Sequence, residues 1–352
     1  MVYQPVRERS NAPFSHFKQR WHKYILYAYI LIFPSACVPT ALSQPQLEET
    51  SIQFSWTHNV SWASFYLADA EGYYRENGLM VDLRPISFDE QDQPLDPLMQ
   101  VVSGKADFGA IDATRLLKAR SEGLPIVAIA TIYQRHPLAF VSLADKGIVR
   151  LTDLPDTNVS ISASSKIIFQ TLLDNEGIDA QTINILDRAD YSAQPLIDGT
   201  VDVIDGWVTS DIVALSLADH DVNMIFPADY GLERYANVIY TTETMILNRP
   251  DLVEQFLGAT IQGMEDTVAN PTKAAEIILQ YNEDWDIEFT QAATIRSLPL
   301  LEPLGNRPAM METKVWEMMA ASLIDQEVVE AEFQVAEAYT LDFLQQIYDS
   351  AQ

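Results

Sequence analysis

The chain has 352 residues, 48% hydrophobic and 20% charged, which suits about two globular domains and excludes a disordered or fibrous chain. Fifty Asp and Glu against 22 Lys and Arg leave a net charge of −28. Such a surface repels phosphate backbones and argues against a nucleic-acid partner; it reads as a solvated acidic shell.

The first 36 residues read as a signal segment. Arg7, Arg9, Lys18, Arg20 and Lys23 precede the apolar run Tyr24 to Phe33, and Pro34-Ser35-Ala36-Cys37 follows. A basic, apolar, small-residue order marks an export signal. The run is too short for a bilayer of about 30 Å, which needs about 20 apolar residues. Small residues before the lone cysteine resemble the lipobox of bacterial lipoproteins, with Pro34 where an aliphatic residue is usual. Three outcomes stay open, lipidation of Cys37, simple cleavage, and a buried or incidental cysteine. Residues 37–50, with Pro39 and Pro45, read as a tether.

From Ser51 the pattern alternates. A strand is expected at 51–56, a helix at 64–77 closed by Gly78, and a strand at 79–86. A short helix at 97–103, a strand at 107–111, a helix at 114–121 and an apolar strand at 125–133 follow. The pattern restarts near 150. Strands are expected at 158–162, 182–185, 202–204 and 222–226, with helices at 165–175, 193–198 and 210–218 between them. After an extended return at 237–242 the chain reads as helical at 250–269, 271–281, 288–297, 311–323 and 333–348. Regular β-α-β alternation predicts an α/β fold with mostly parallel sheets. An internal echo, Gly104-Lys-Ala-Asp107 and Gly199-Thr-Val-Asp202, is either an ordinary helix-to-strand turn used twice or a mark of two lobes built alike.

Ligands in open α/β sheets bind beyond the carboxyl ends of strands. That rule selects four loops, containing Trp56, Asn59 and Trp62; Asp112 and Thr114; Ser164 and Ser165; and Trp207 and Asp211. Tryptophans there can stack on an aromatic ring, or each can pack in its own lobe. The serines at a helix start can hold a small anion or cap the helix. Asp211 can cap its helix or accept from an amino group on a ring. The five histidines show no metal spacing, and no nucleophile elbow, Walker loop or dinucleotide fingerprint occurs. Nothing demands an enzyme, a metal or a cofactor.

The segment Gly72-Tyr-Tyr-Arg-Glu-Asn-Gly78-Leu-Met-Val81 resembles a signature of periplasmic-type substrate-binding proteins. The similar branch includes binders of thiamine pyrimidine precursors, alkanesulfonates, nitrate and riboflavin, and the fungal thiamine pyrimidine synthases. Gly104 to Gly109, Ala119 to Val127, Leu151 to Val159 and the helix with Trp316 continue the resemblance over about residues 51–325. In the first loop Trp56, Asn59 and Tyr66 fit the pattern of the pyrimidine-precursor binders; Trp62 replaces its His and Ser64 its Gly. The resemblance implies a two-lobed binding protein with two hinge crossovers, lobe one spanning 51–138 plus 243–348 and lobe two 139–242. It implies an exported or cell-surface protein, held by a lipid anchor at Cys37, that serves an ABC permease and ATPase. The ligand it implies is a small planar nitrogen heterocycle; sulfonate, nitrate or riboflavin is the alternative. The synthases use a cysteine-rich motif, whereas this chain has no cysteine after Cys37.

Overall fold

The computed structural model describes residues 47–91, 93–188, 192–282, 284–302 and 307–350. The expected signal segment, Cys37 and most of the expected tether lie outside the described residues. The first strand starts earlier than its apolar pattern suggests: β1 is Glu48–Phe54, so the tether's last residues belong to a sheet. Its early residues register against the next strand, and Glu48 N–H donates to the Gly78 carbonyl at 2.8 Å.

Ten strands form two five-stranded sheets. The first holds β1, β2 (Leu79–Arg84), β3 (Phe108–Ile111), β4 (Ile126–Tyr133) and β10 (Ala236–Thr242), in the order β2-β1-β3-β10-β4. The second holds β5 (Leu138–Leu143), β6 (Asn158–Ile161), β7 (Asn184–Asp187), β8 (Val203–Trp207) and β9 (Val222–Ile225), in the order β7-β6-β8-β5-β9. Each sheet pairs three strands in parallel and then inserts one antiparallel strand, β10 or β5, before its last. The sheets are therefore mixed. Residues 236–242, expected in lobe two, are a central strand of the first sheet, because β10 pairs with both β3 and β4. The chain crosses between sheets through 134–137 and 226–235.

Close packing around the first sheet needs two glycines without side chains. A Cβ on Gly109 would lie 2.3 Å from the Tyr240 ring, and one on Gly263 would lie 2.0 Å from the Ser64 carbonyl oxygen. Gly263 thus lets the helix Pro250–Ala269 press against the helix Ala63–Ala70. Phe256 of the long helix stacks on Phe108 with centroids 4.0 Å apart. The expected single helix at 64–77 is two, Ala63–Ala70 and Tyr73–Glu76, because Gly72 at φ +84° breaks it. Tyr339, expected inside a helix, instead forms an isolated parallel bridge to Ala128 of β4: Ala128 N–H donates to the Ala338 carbonyl and Thr340 N–H to the Ala128 carbonyl. Only Asp342–Ser350 of that segment is an α-helix.

One face of the second sheet closes its own core with Phe140, Phe169, Leu172 and Val203. The other face is continuous with the core of the first sheet through Ile204, Ile212 and Leu215. The helix Ile287–Leu301 borders that shared region, and its Arg296 Nη2 donates to Ser216 Oγ at 3.0 Å. No helix among the described residues is long and apolar enough to cross a membrane.

Candidate functional site

The loop after β1 sorts its two tryptophans oppositely. Trp56 is 65% exposed, whereas Trp62 is buried and stacks on Phe54 at 4.6 Å with nearly parallel rings. Trp62 also donates its indole N–H to the Thr57 carbonyl at 3.0 Å. The Trp62 ring packs as a core group whose polar handle pins the loop. Asn59 caps the short turn Val60–Trp62, accepting from Ser61 N–H at 2.8 Å and donating to the Thr57 carbonyl at 2.7 Å. Tyr66 is buried, stacked on Tyr281 at 4.1 Å, with its hydroxyl 2.8 Å from His58 Nδ1. Burial lowers the His58 pKa.

Asp112 follows β3 and caps the helix Ala113–Ser121. Its Oδ1 accepts from the backbone N–H of Thr114 at 2.8 Å. Its Oδ2 faces His136 Nε2 at 3.4 Å and Arg234 Nη2 at 3.5 Å. Arg234 also donates to Thr114 Oγ1. His136 belongs to one crossover and Arg234 to the other, so both connections converge on one carboxylate at a strand end. Burial alone would raise the Asp112 pKa, but the Arg234 charge and the bonds from His136 and Thr114 hold it well below the usual carboxylate range. His136 is pushed down to about 4, first by burial and then by Arg234, with Asp112 only partly opposing them. The geometry agrees: Leu138 N–H donates to His136 Nδ1 at 3.0 Å, so that nitrogen is unprotonated and Nε2 carries the hydrogen toward Asp112.

In the second sheet, Trp207 ends β8 and meets the His136 ring edge-on, centroids 5.5 Å apart. Behind it lies a charged network. Asp205 accepts from Ser162 Oγ, from Ser165 Oγ at 2.6 Å and from Ser162 N–H at 3.1 Å. Arg188 lies between two carboxylates, with Nη1 3.3 Å from Asp205 Oδ1 and Nη2 2.9 Å from Asp211 Oδ1. Asp211 Oδ2 accepts from Trp207 N–H at 2.8 Å and from Ser210 Oγ at 3.2 Å. Ser165 and Asp211 both have partners within the protein. Ser165 makes no side-chain cap bond and is buried with its hydroxyl committed to Asp205. Asp211 is filled by protein donors and holds the Trp207 loop. Ser164 remains exposed, its Oγ 3.1 Å from Ser162 Oγ.

The structure therefore joins Asp112 and Thr114 to Trp207 through His136, and gathers Ser165 and Asp211 around Arg188. Trp56 and Asn59 stay together on their own loop. Sequence reasoning misses His136, Arg234, Arg188 and Asp205. The crossover position of the first two is the one signal that could have found them.

The family described as NMT1/THI5 like matches residues 59–274, more than half of the chain. The chain belongs to the NMT1/THI5-like family. Within reach of this family, the chain is 26% identical over 326 residues to the riboflavin-binding protein RibY of Chloroflexus aurantiacus, covering 88% of this chain and 91% of that one. It is 26% identical over 291 residues to the formylaminopyrimidine-binding protein of Halalkalibacterium halodurans, covering 81% and 86%. A Legionella pneumophila relative named 4-amino-5-hydroxymethyl-2-methylpyrimidine phosphate synthase is 22% identical, covering 84% and 92%. The fold is that of periplasmic binding proteins: the periplasmic aliphatic sulphonate binding protein SsuA of Escherichia coli superposes with a TM-score of 0.65 at 13% identity, over 83% of this chain and 91% of that one. In this NMT1/THI5-like chain no cluster of three or more His, Cys, Asp or Glu suited to a metal occurs among the described residues.

Proposed function

We propose that the chain is the extracytoplasmic solute-binding component of an ABC importer, taking a small planar nitrogen heterocycle between its two lobes. The carrying observation is the meeting of Trp207 from the second sheet with the Asp112–His136–Arg234 cluster at the strand ends of the first. An indole beside a charged donor and acceptor suits a flat, polar-edged ring. Relatives named as binders of riboflavin and of formylaminopyrimidine support the ring class.

A sulfonate or nitrate at the serine loop fits less well. The hydroxyls of Ser162 and Ser165 are spent on Asp205, which puts a carboxylate behind the loop. A transport role rather than catalysis is supported by the partners of the candidate groups. Ser162 and Ser165 donate to Asp205, which faces Arg188, and His136 faces Asp112 and the Leu138 N–H. Neither pairing sets a histidine beside a serine hydroxyl. Export and a lipid anchor at Cys37 rest on the sequence order around that residue; Cys37→Ser should move the protein from the membrane to the soluble fraction.

A thermal-shift screen of pyrimidines, flavins, sulfonates and nitrate, followed by calorimetry, tests the ligand class. A ring ligand at a hundred times its Kd should add about 2.7 kcal/mol of stability. Stabilisation by sulfonate or nitrate alone would overturn the ring reading.

A further inference from the structure

We infer that Asp112 and Arg234 together read the polar edge of the bound ring, and that the ligand carries an N–H donor beside a ring-nitrogen or carbonyl acceptor. This rests on the proposed function and names the chemistry of its site.

The argument starts from unfilled capacity. Asp112 Oδ1 is occupied by its helix cap, but Oδ2 has only two long contacts, 3.4 Å and 3.5 Å. Charge-assisted bonds close to about 2.7–2.9 Å when they are the intended end state. The Asp112 side chain is 37% exposed, so it can be reached from outside the protein. Arg234 carries the complementary vacancy. Its Nη2 reaches Thr114 Oγ1, yet its buried Nε–H has no hydrogen-bond partner. A buried N–H without a partner is costly and calls for an explanation. The Arg234 guanidinium, whose Nη2 lies 3.5 Å from Asp112 Oδ2, and that carboxylate together complement the adjacent acceptor and donor of an amide, ureide or amidine edge. Trp207, linked to the same cluster through His136, supplies a flat face nearby.

Asp211, the other acid at a strand end, offers no comparable opening, because each of its oxygens has a close protein donor, at 2.9 and 2.8 Å, and its side chain is only 15% exposed. The aminopyrimidine and the flavin dione both present such an edge. The shared edge, rather than the ring system, is what these two residues recognise.

The test is calorimetry on the full chain with two probes, riboflavin and 4-amino-5-hydroxymethyl-2-methylpyrimidine, each paired with an analogue lacking the edge N–H: 3-methylriboflavin and the 4-dimethylamino pyrimidine. Whichever parent probe binds, its analogue should bind the unaltered chain at least tenfold more weakly. Asp112→Asn and Arg234→Gln should each weaken the parent probe ten- to a hundredfold, and Asp112→Asn should leave analogue binding unchanged. The arm with the unaltered chain holds even where a variant folds poorly. Equal binding of parent and analogue, or equal losses on both for Asp112→Asn, overturns the inference while the ring reading stands. Binding of neither parent probe while sulfonate or nitrate binds overturns the ring reading, and this inference with it.

Discussion

Asp107 and Asp202 occupy the same place in the two sheets. Asp107 Oδ2 accepts from Ser51 N–H at 2.9 Å, Ser51 Oγ at 3.1 Å and Thr50 Oγ1 at 3.0 Å on β1. Asp202 Oδ2 accepts from the backbone and side-chain N–H groups of Asn158, the first residue of β6, at 3.0 and 3.3 Å. Each acid follows a turn glycine with positive φ, Gly104 at +72° and Gly199 at +69°. The echo in the sequence thus marks one device used twice: a carboxylate that satisfies the adjacent parallel strand. Asp107→Ala should cost about 1–3 kcal/mol, since it orphans the donors of Thr50 and Ser51, both buried. Asp202→Ala should cost less, because its partner Lys146 is a third exposed and water can replace the carboxylate. Urea titration of both variants checks the order; a larger loss for Asp202→Ala would contradict it.

His136 should weaken the fold in mild acid. Its pKa falls from 6.5 to about 4 in the folded chain. Between those values the unfolded chain binds a proton that the folded chain refuses, so stability falls as pH drops through that window. The loss by pH 4 is about 3 kcal/mol at most, at about 1.4 kcal/mol per unit. Asp112 acts lower: its depressed pKa gives stability that is present above 3.8 and lost further into acid. His136→Asn keeps an acceptor for the Leu138 N–H and should flatten the profile between pH 6.5 and 4. Urea midpoints at four pH values measure this; an unchanged slope in the variant would assign the acid loss to other groups.

How much of this was legible depended on range. Turn glycines announced helix ends because a left-handed residue is a local demand. Gly78, Gly104, Gly123, Gly177 and Gly199 all have positive φ. The α/β alternation was legible for the same reason. The place of β10 was not, because pairing with β3 and β4 joins residues more than a hundred positions apart. Trp62 could not be told from Trp56, since both sit on one loop and only the stacking on Phe54 separates them. Asp205 was hidden among fifty acids, and Asp211, though singled out at its strand end, gave no sign of its partner. What distinguishes them is Arg188, a cation whose position beside both is a property of the fold.

Asp211 offers the sharpest test of the site. Its side chain is 15% exposed, paired with Arg188 and bonded to the backbone of Trp207. The approach needs a glycine at 206, where an added Cβ would lie 3.0 Å from Asp211 Cβ. Asp211→Asn keeps the shape but can present only one oxygen, so its amide N–H₂ must face either Arg188 or the Trp207 N–H, donor against donor. Removing one partner of a buried ion pair costs about 3–5 kcal/mol. The expected result is a loss of about 3 kcal/mol in urea titration. Ring affinity, measured where the variant is fully folded, should change less than about threefold, or under about 0.7 kcal/mol. In a double-mutant cycle, adding Arg188→Met should cost less than the sum of the single changes, because both remove the same Arg188–Asp211 pair. If Asp211→Asn keeps full stability and loses tenfold or more in affinity, Asp211 is a ligand acceptor after all, and the Arg188 pair is incidental to the site.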